Sequence, residues 1–525
     1  MQQKLFGASG FYIGQMFREA AMRHGAVPVV LDRPLDVAPD TGLQHSYRSL
    51  AGLVDRLADQ LWSAGVRPAS HVAIHKRDNV DIALLGCAAS RIGAVPVLLS
   101  PGLDATAASI LLGRLDRPLL VTDEATLERL AAHTDIAKLT SKRVLVSGVF
   151  PGAVALSGLE VTGRAKLVRL HPDEPAMITH SSGTTDVPKL AVHCARALWN
   201  RLVPQKVMAL PVRGETAAFC MSFVHSRFYH ALGTFLSGGS RLLLLTDHDP
   251  ASVGPLLARW QPGVVETHPN TFVLWEDLAD APGAPLKNVR CFGSTFDAIH
   301  PRTVQRLLAA SHRRGKYLMQ LYGQSETGPV AVRMFTERGA ARGNGRLVGI
   351  GIPGFTKVRI TNDAGTPVPR GTVGHIEART RGRIVTYQGA QDRYDAQLNG
   401  TWWRMGDMGT RSWWGGLHLI DREIDQIDDV DSNLRIEDVL MSRLDELREI
   451  VVVPGADGVA VPVICTRSGA PLEPARWRRA TADLPAMDAP RQWEFDDLPR
   501  TSTWKIKRVA LAQLIATGDR AVARG

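Results

Sequence analysis

The 525-residue chain is poor in cysteine: Cys87, Cys194, Cys220, Cys291 and Cys465 lie far apart, and no two form a Cys-x-x-Cys pair. That spacing argues against a zinc site and against a disulfide framework, and it points to buried structural thiols. No apolar run is long enough to span a bilayer, and the opening MQQKLFGASGFYIGQMF has no basic segment followed by an apolar one. A cytoplasmic protein with no membrane partner is the expectation. Nor does any segment cluster Lys and Arg with interleaved aromatics, so nucleic acid is not an expected partner.

What is present is a soluble globular composition, 45% hydrophobic and 22% charged, on a chain long enough for two or three domains. The formal net charge is +10, which favours acidic small molecules as ligands. Residues 49–62, SLAGLVDRLADQLW, place Leu50, Leu53, Val54, Leu57 and Leu61 on one helical face. The strand HVAI follows at 71–74, then a helical stretch, then the apolar AVPVLL. Alternation of helix and buried strand predicts an α/β fold with a largely parallel sheet.

Three strands end in suspicious places. AMITH runs into SSGTT at 181, VRCF (289–292) into GST, and YLMQL (317–321) into YGQSE. Ligands collect at the carboxyl ends of strands in open α/β sheets, so these loops are expected to share one crevice. From about 346 to 420 the texture turns to β-branched residues, Gly and Pro, predicting antiparallel strands in a small barrel or distorted sheet. Within it GIGIPG (349–354) matches Gly-x-Gly-x-x-Gly, but Pro353 and a strand-like run follow where that fingerprint needs a helix. It is rejected. The expected boundary separates a large domain, 1–421, from a small α+β domain, 422–525.

Taken in order, the motifs resemble the adenylate-forming superfamily of acyl-CoA synthetases, nonribosomal-peptide adenylation domains and luciferases. SYRSLAGLVDRLA (46–58) is similar to the family's early helix, and SSGTTDVPK (181–189) to its Ser/Thr/Gly-rich loop. LYGQSETG (321–328) and WWRMGDMG (402–409) resemble its Tyr-Gly-x-Thr-Glu and Arg-Thr-Gly-Asp motifs. LIDREIDQI (419–427) resembles the inter-domain hinge, and LPRTSTWKIKR (498–508) the C-terminal catalytic-lysine motif.

The resemblance implies a large domain carrying a nucleotide site and a mobile small domain. It implies ATP or an acyl-adenylate as ligand, with Mg2+ on Glu326 and coenzyme A as acceptor. Ser181, Ser182, Gly183, Thr184, Thr185 and Lys189 would hold the polyphosphate, and Tyr322, in the run Gly323, Gln324 and Ser325, would stack on adenine. Ser294 and Thr295 would lie near the nucleotide, Asp407 would accept the ribose hydroxyls, and Arg422 would reach ribose or phosphate. Lys505 would bridge carboxylate and phosphate. His225, Gly293 and Ser294 would line an acyl pocket, His225 also standing as a second catalytic candidate. The product implied is a CoA thioester of a hydrophobic carboxylic acid, made through an acyl-adenylate.

Six letters depart from the family pattern, Asp428 and Asp431 just beyond the hinge among them. Asp186 and Leu190 stand where glycines are usual, Trp504 stands where glycine precedes the catalytic lysine, and Ile424 occupies a polar hinge position. A carboxylate at ~4 Å from a phosphate charge costs about 4 kcal/mol at an effective dielectric of ~20. A bulky indole before Lys505 is expected to misplace it. Two ligase readings follow: a complete acyl-CoA ligase that tolerates these letters, or an enzyme that mainly thioesterifies an adenylate supplied by a separate adenylating enzyme. Loading of a carrier protein in trans and a non-catalytic nucleotide-binding shell are the further alternatives. No cation stands out for a second carboxylate on the substrate, which favours a hydrophobic monoacid.

Overall fold

The computed structural model describes residues 10–517 except 162, 182–187, 342–343, 428–429, 456–457 and 502–503. Ser46 opens the early helix, Tyr47–Ser63, through a reciprocal capping box with Ser49. The predicted face is buried: Leu50, Leu53, Val54, Leu57 and Leu61 pack toward helix Asp81–Arg91, all of whose residues are inaccessible. A helix buried on every side needs cover on every side, and here helix 47–63, the turn 13–15 and strands 71–74 and 95–98 supply it.

The first sheet runs in the order 386–388, 190–194, 175–180, 95–98, 71–74, 119–122, 142–145 and 154–155, parallel except for 190–194, which is antiparallel to both its neighbours. The second carries the parallel strands 28–31, 242–245, 217–220, 264–267, 291–295 and 317–324 side by side. The helices 47–63, 81–91 and 226–238 lie in one apolar core with residues from both sheets. The expected α/β architecture with parallel sheets is therefore present.

The β-rich stretch has the expected antiparallel strands: 328–335, 347–351, 417–422, 402–411, 374–380 and 356–361 extend the second sheet from its 317–324 edge, with register shifts along it. After Arg422, helix Asn433–Arg443 and the three-stranded sheet 447–454, 460–466 and 491–492 form a small C-terminal lobe with its own core. All five cysteines are buried thiols. No helix among the described residues is long and apolar enough to cross a membrane.

Candidate active site

Strands Val264–Thr267, Cys291–Thr295 and Tyr317–Gln324 are consecutive parallel neighbours, so their carboxyl ends open on one side of the sheet. A cavity there is lined by Ser181, Lys189, His225, Thr295, Gln324 and Glu326 from the large lobe. Asp407 and Arg422 close a second wall, and Lys505 reaches in from the C-terminal lobe. Residues more than 300 positions apart in sequence thus share one space.

Asp407 and Arg422 face each other across adjacent antiparallel strands, with Arg422 Nε 3.9 Å from Asp407 Oδ1. The Tyr322 hydroxyl donates to Asp407 Oδ2 at 2.5 Å. Burial raises the Asp407 carboxyl above its ordinary range, against the pull of Arg422 and the Tyr322 hydrogen bond. Burial lowers the Lys505 ammonium below its ordinary value, and the Arg422 charge adds to that. Tyr322 is therefore engaged edge-on by the carboxylate, a contact that its expected role against adenine did not foresee.

The loop around Lys505 is narrow. Thr501 N–H donates to the Lys505 carbonyl at 2.8 Å, and Arg500 bridges to Ile506. Trp504 sits at φ +59, the left-handed region that glycine occupies without penalty. Its ring lies 4.4 Å from His248 and 5.3 Å from the Arg500 guanidinium, and Asn270 Nδ2 donates to its carbonyl at 2.5 Å. The indole thus takes the glycine conformation and is wedged against the large lobe, with Lys505 inside the cavity. The expectation that it misplaces Lys505 is corrected: it is a socketed side chain.

In the Ser/Thr/Gly-rich loop, Ser182, Gly183, Thr184, Thr185 and Asp186 lie outside the described residues. Its two flanks meet: Ser181 N–H donates to the Lys189 carbonyl at 2.9 Å and Lys189 N–H to Ser181 Oγ at 3.0 Å. Lys189 Nζ stands 5.3 Å from the Tyr387 ring, and the Tyr387 hydroxyl donates to Glu326 Oε1 at 2.6 Å. Leu190 is not a phosphate contact. It begins a strand and is buried beside Ile178 and Val192, so apolar packing accounts for its side chain.

His225 precedes helix Ser226–Gly238, its ring 5.7 Å from His180 and from Phe296, and burial holds its pKa down to about 3. Thr295 lines the main cavity, whereas Gly293 lines an adjoining apolar recess and Ser294 is fully buried beside it in the strand. Gln324 Nε2 lies 3.3 Å from Met405 Sδ, and the backbone of Gly323 approaches Gly328 so closely that a Cβ would stand 2.1 Å from its carbonyl oxygen. Ile424 lines the cavity mouth, half exposed.

Sequence reasoning missed two arginines. Arg201 is buried and donates to the carbonyls of Gly382 (2.6 Å), Ser325 (3.0 Å) and Glu326 (2.9 Å) and to Ser226 Oγ (3.1 Å). It fixes the turn that presents Glu326, and burial lowers its pKa to about 10. Arg227 lines the same cavity, bound side-on by Glu266. So a cation does face the substrate space, contrary to the expectation from sequence. Neither arginine has a local signature, since each is defined by partners more than 20 positions away.

Residues 17–387 match the sequence profile of the AMP-binding enzyme family. The chain belongs to the AMP-binding enzyme family. Among AMP-binding enzymes it is 53% identical to the 3-amino-2-hydroxy-4-methoxybenzoate diazotase of Streptomyces cremeus, over 98% of each chain. It is 24% identical to the 3-aminoavenalumate diazotase of a Streptomyces species, over 78% of this chain and 74% of that one. A solved structure of an anthranilate CoA ligase in complex with anthranoyl-AMP superposes with TM-score 0.82 at 17% identity, covering 97% of this chain and 98% of that chain, which is a likeness of fold.

These relatives overturn one expectation. The reading as an acyl-CoA ligase, complete or confined to thioesterification, is corrected by the full-length similarity to a diazotase. Coenzyme A, a carrier protein and a separate adenylating enzyme lose their support with it.

Proposed function

We propose that this AMP-binding enzyme is an ATP-dependent diazotase, joining the nitrogen of nitrite to the amino group of a small aromatic amine. The observation that carries this reading is the 53% identity, end to end, to a protein that diazotises an aminobenzoate. Chemistry narrows the co-substrate. Converting an amine nitrogen to a diazo group without net redox change needs a second nitrogen at the oxidation level of nitrite. Nitrite is an oxyanion whose oxygen leaves poorly, and adenylation remedies that.

In the balanced sequence a nitrite oxygen attacks the α-phosphorus of ATP and pyrophosphate departs. The amine nitrogen then attacks the nitrite nitrogen of the mixed anhydride, the N–O bond breaks, and AMP leaves with that oxygen. The amine gives up one proton as the N–N bond forms. The second amine proton moves to the nitroso oxygen to give a diazohydroxide, and one further proton, taken from solvent, lets that oxygen leave as water and leaves the diazonium group.

The cavity's residues suit these steps. Asp407 and Tyr322 would hold the ribose, and Arg422 would neutralise the α-phosphate. Ser181 and Lys189, with Ser182 to Thr185 between them, would hold the β- and γ-phosphates. Thr295, with Ser294 buried behind it, would border the nucleotide, as would the turn Gly323–Ser325. Lys505, half-buried at the cavity wall, would stand between the two anions that must meet, lowering their repulsion in the transition state. His225, held neutral, would line the acceptor pocket, and its low basicity suits a wall better than a proton acceptor.

The family resemblance also implies Mg2+. Glu326 is a single buried carboxylate on the cavity wall, and no cluster of three or more His, Cys, Asp or Glu is present among the described residues. One carboxylate fits magnesium, which keeps several waters and takes its other ligands from phosphate oxygens. There the ion would supply charge neutralisation of the polyphosphate, and Tyr387 would orient the Glu326 carboxylate.

The test is direct. Purified enzyme with Mg-ATP, sodium nitrite and 3-amino-2-hydroxybenzoate is expected to release pyrophosphate and form a diazo product by mass spectrometry. Nitrite-independent pyrophosphate release, or no diazo product with any amine of an aminobenzoate panel, would overturn the proposal.

A further inference from the structure

Arg227, Glu266 and Gln205 come from three different elements: helix Ser226–Gly238, strand Val264–Thr267 and helix Ala195–Met208. Arg227 Nε lies 2.5 Å from Glu266 Oε1 and Nη2 2.6 Å from Oε2, a planar two-bond contact, while Nη1 donates to Gln205 Oε1. Both charged side chains are almost inaccessible. Below them lies an apolar recess with Phe235, Met319 and Leu321 on its walls.

A buried ion pair in an apolar recess contributes little to stability on its own, because desolvating two charges offsets their attraction. Here the fold makes room for it deliberately. Gly293 is the cross-strand neighbour of Glu266, and a Cβ there would stand 3.0 Å from Glu266 Cγ. That glycine, which sequence reasoning placed in an acyl pocket, gives the carboxylate its space.

The guanidinium has five N–H donors in a fixed fork. Glu266 takes the side-on edge, through Nε and one N–H of Nη2, and Gln205 takes one N–H of Nη1. After those three bonds one N–H remains on each of Nη1 and Nη2, and two N–H groups on neighbouring guanidinium nitrogens suit a carboxylate. Around the cavity stand six cationic residues, Lys189, Arg201, Arg227, Arg404, Arg422 and Lys505, against Glu326, Asp407, Glu423 and, paired with Arg227, Glu266. The surplus favours more than one anionic group in the same space.

We propose that Arg227, oriented by Glu266 and Gln205, binds the free carboxylate of an aromatic amine seated in the main cavity that Arg227 lines, making the substrate class aminobenzoates. The inference rests on the diazotase reading, in which nitrite and not the acid is adenylated, so the acid's carboxylate stays an anion throughout. Anchoring that carboxylate leaves the amino group as the end that meets the adenylate. Glu266 and Gln205 are positioning residues.

Two readouts test this. In wild-type enzyme, replacing the carboxylate of 3-amino-2-hydroxybenzoate by a carboxamide is expected to raise KM about 100-fold, with kcat changed less than about 3-fold. Arg227→Gln should raise KM for the carboxylate by a similar factor and leave carboxamide KM in place, and Arg227→Lys should recover part of the loss. Equal KM for acid and carboxamide in the wild type, or equal losses on both in Arg227→Gln, would overturn the assignment. If the variant does not fold, by thermal melting, the wild-type comparison decides alone. If wild-type enzyme shows no nitrite-dependent pyrophosphate release, the diazotase reading fails separately. Calorimetric binding of the acid and the carboxamide to wild-type protein then decides on Arg227, preference for the acid supporting it and equal binding overturning it.

Discussion

Substituting Trp504 separates two accounts of one residue by the sign of the effect. On motif grounds alone Trp504→Gly restores the usual letter and should speed adenylation. The structure predicts a loss. Glycine would relieve a left-handed strain of about 1.5 kcal/mol. Against that, the stack on His248 and the Arg500 contact are worth about 1 kcal/mol each, and glycine's added backbone freedom costs about 1 kcal/mol more. The balance is a loosening of the Lys505 loop by about 1.5 kcal/mol, or roughly tenfold in the fraction of enzyme with Lys505 in place. Trp504→Ala keeps the strain and loses the contacts, so it should fall further. The assay is nitrite-dependent pyrophosphate release at saturating Mg-ATP, with expected order Trp, then Gly, then Ala. A glycine variant as fast as or faster than wild type would refute the socket.

Other outcomes follow from the same geometry. Tyr322→Phe removes the hydroxyl that donates to Asp407 Oδ2 and should raise the KM for ATP about 10-fold or more, with a smaller effect on kcat. Because burial lowers the Lys505 pKa, the alkaline limb of the pH–rate profile should fall below pH 10.5, and Lys505→Arg, which cannot titrate there, should move that limb up. Burial also keeps His75, His225, His230, His248 and His300 neutral, with pKa values near 4, 3, 3, 4 and 4. The unfolded chain protonates these groups near pH 6.5 and the folded one does not, so each removes up to about 1.4 kcal/mol of stability per pH unit below that. The melting temperature should therefore drop steeply between pH 6.5 and 4, and a flat profile would contradict the neutral assignment. Glu326→Gln should raise the magnesium concentration for half-maximal pyrophosphate release several-fold, which a magnesium titration measures.

What the sequence disclosed, and what it withheld, follows from range. The face of helix 47–63 and the strand end at His180 are local patterns, and the structure has them, whereas the other two strands run on to Thr295 and Gln324, three residues past the expected ends at Phe292 and Leu321. The cavity's gathering of Asp407, Arg422 and Lys505 was implied by motif order. Arg201 and Arg227 were illegible, because an arginine within an apolar helix reads as solvated charge until Gly382 or Glu266 is known to lie beside it. Trp504 and Leu190 were legible as departures but not in their meaning. One depends on His248 and Asn270, over 230 positions away, and the other on a core strand. The acceptor chemistry was misread for a related reason: the adenylating motifs describe how an oxyanion is activated and carry little about which oxyanion it is.

The most direct test of the central claim asks which oxyanion receives the adenylyl group. Enzyme, Mg-ATP and 3-amino-2-hydroxybenzoate would be incubated with nitrite labelled with oxygen-18, and the AMP analysed by mass spectrometry. Adenylation of nitrite predicts one labelled oxygen in AMP, carried over when the N–O bond breaks, and none when the label is instead placed in the benzoate carboxylate. Label entering AMP from the carboxylate, and not from nitrite, would contradict the account.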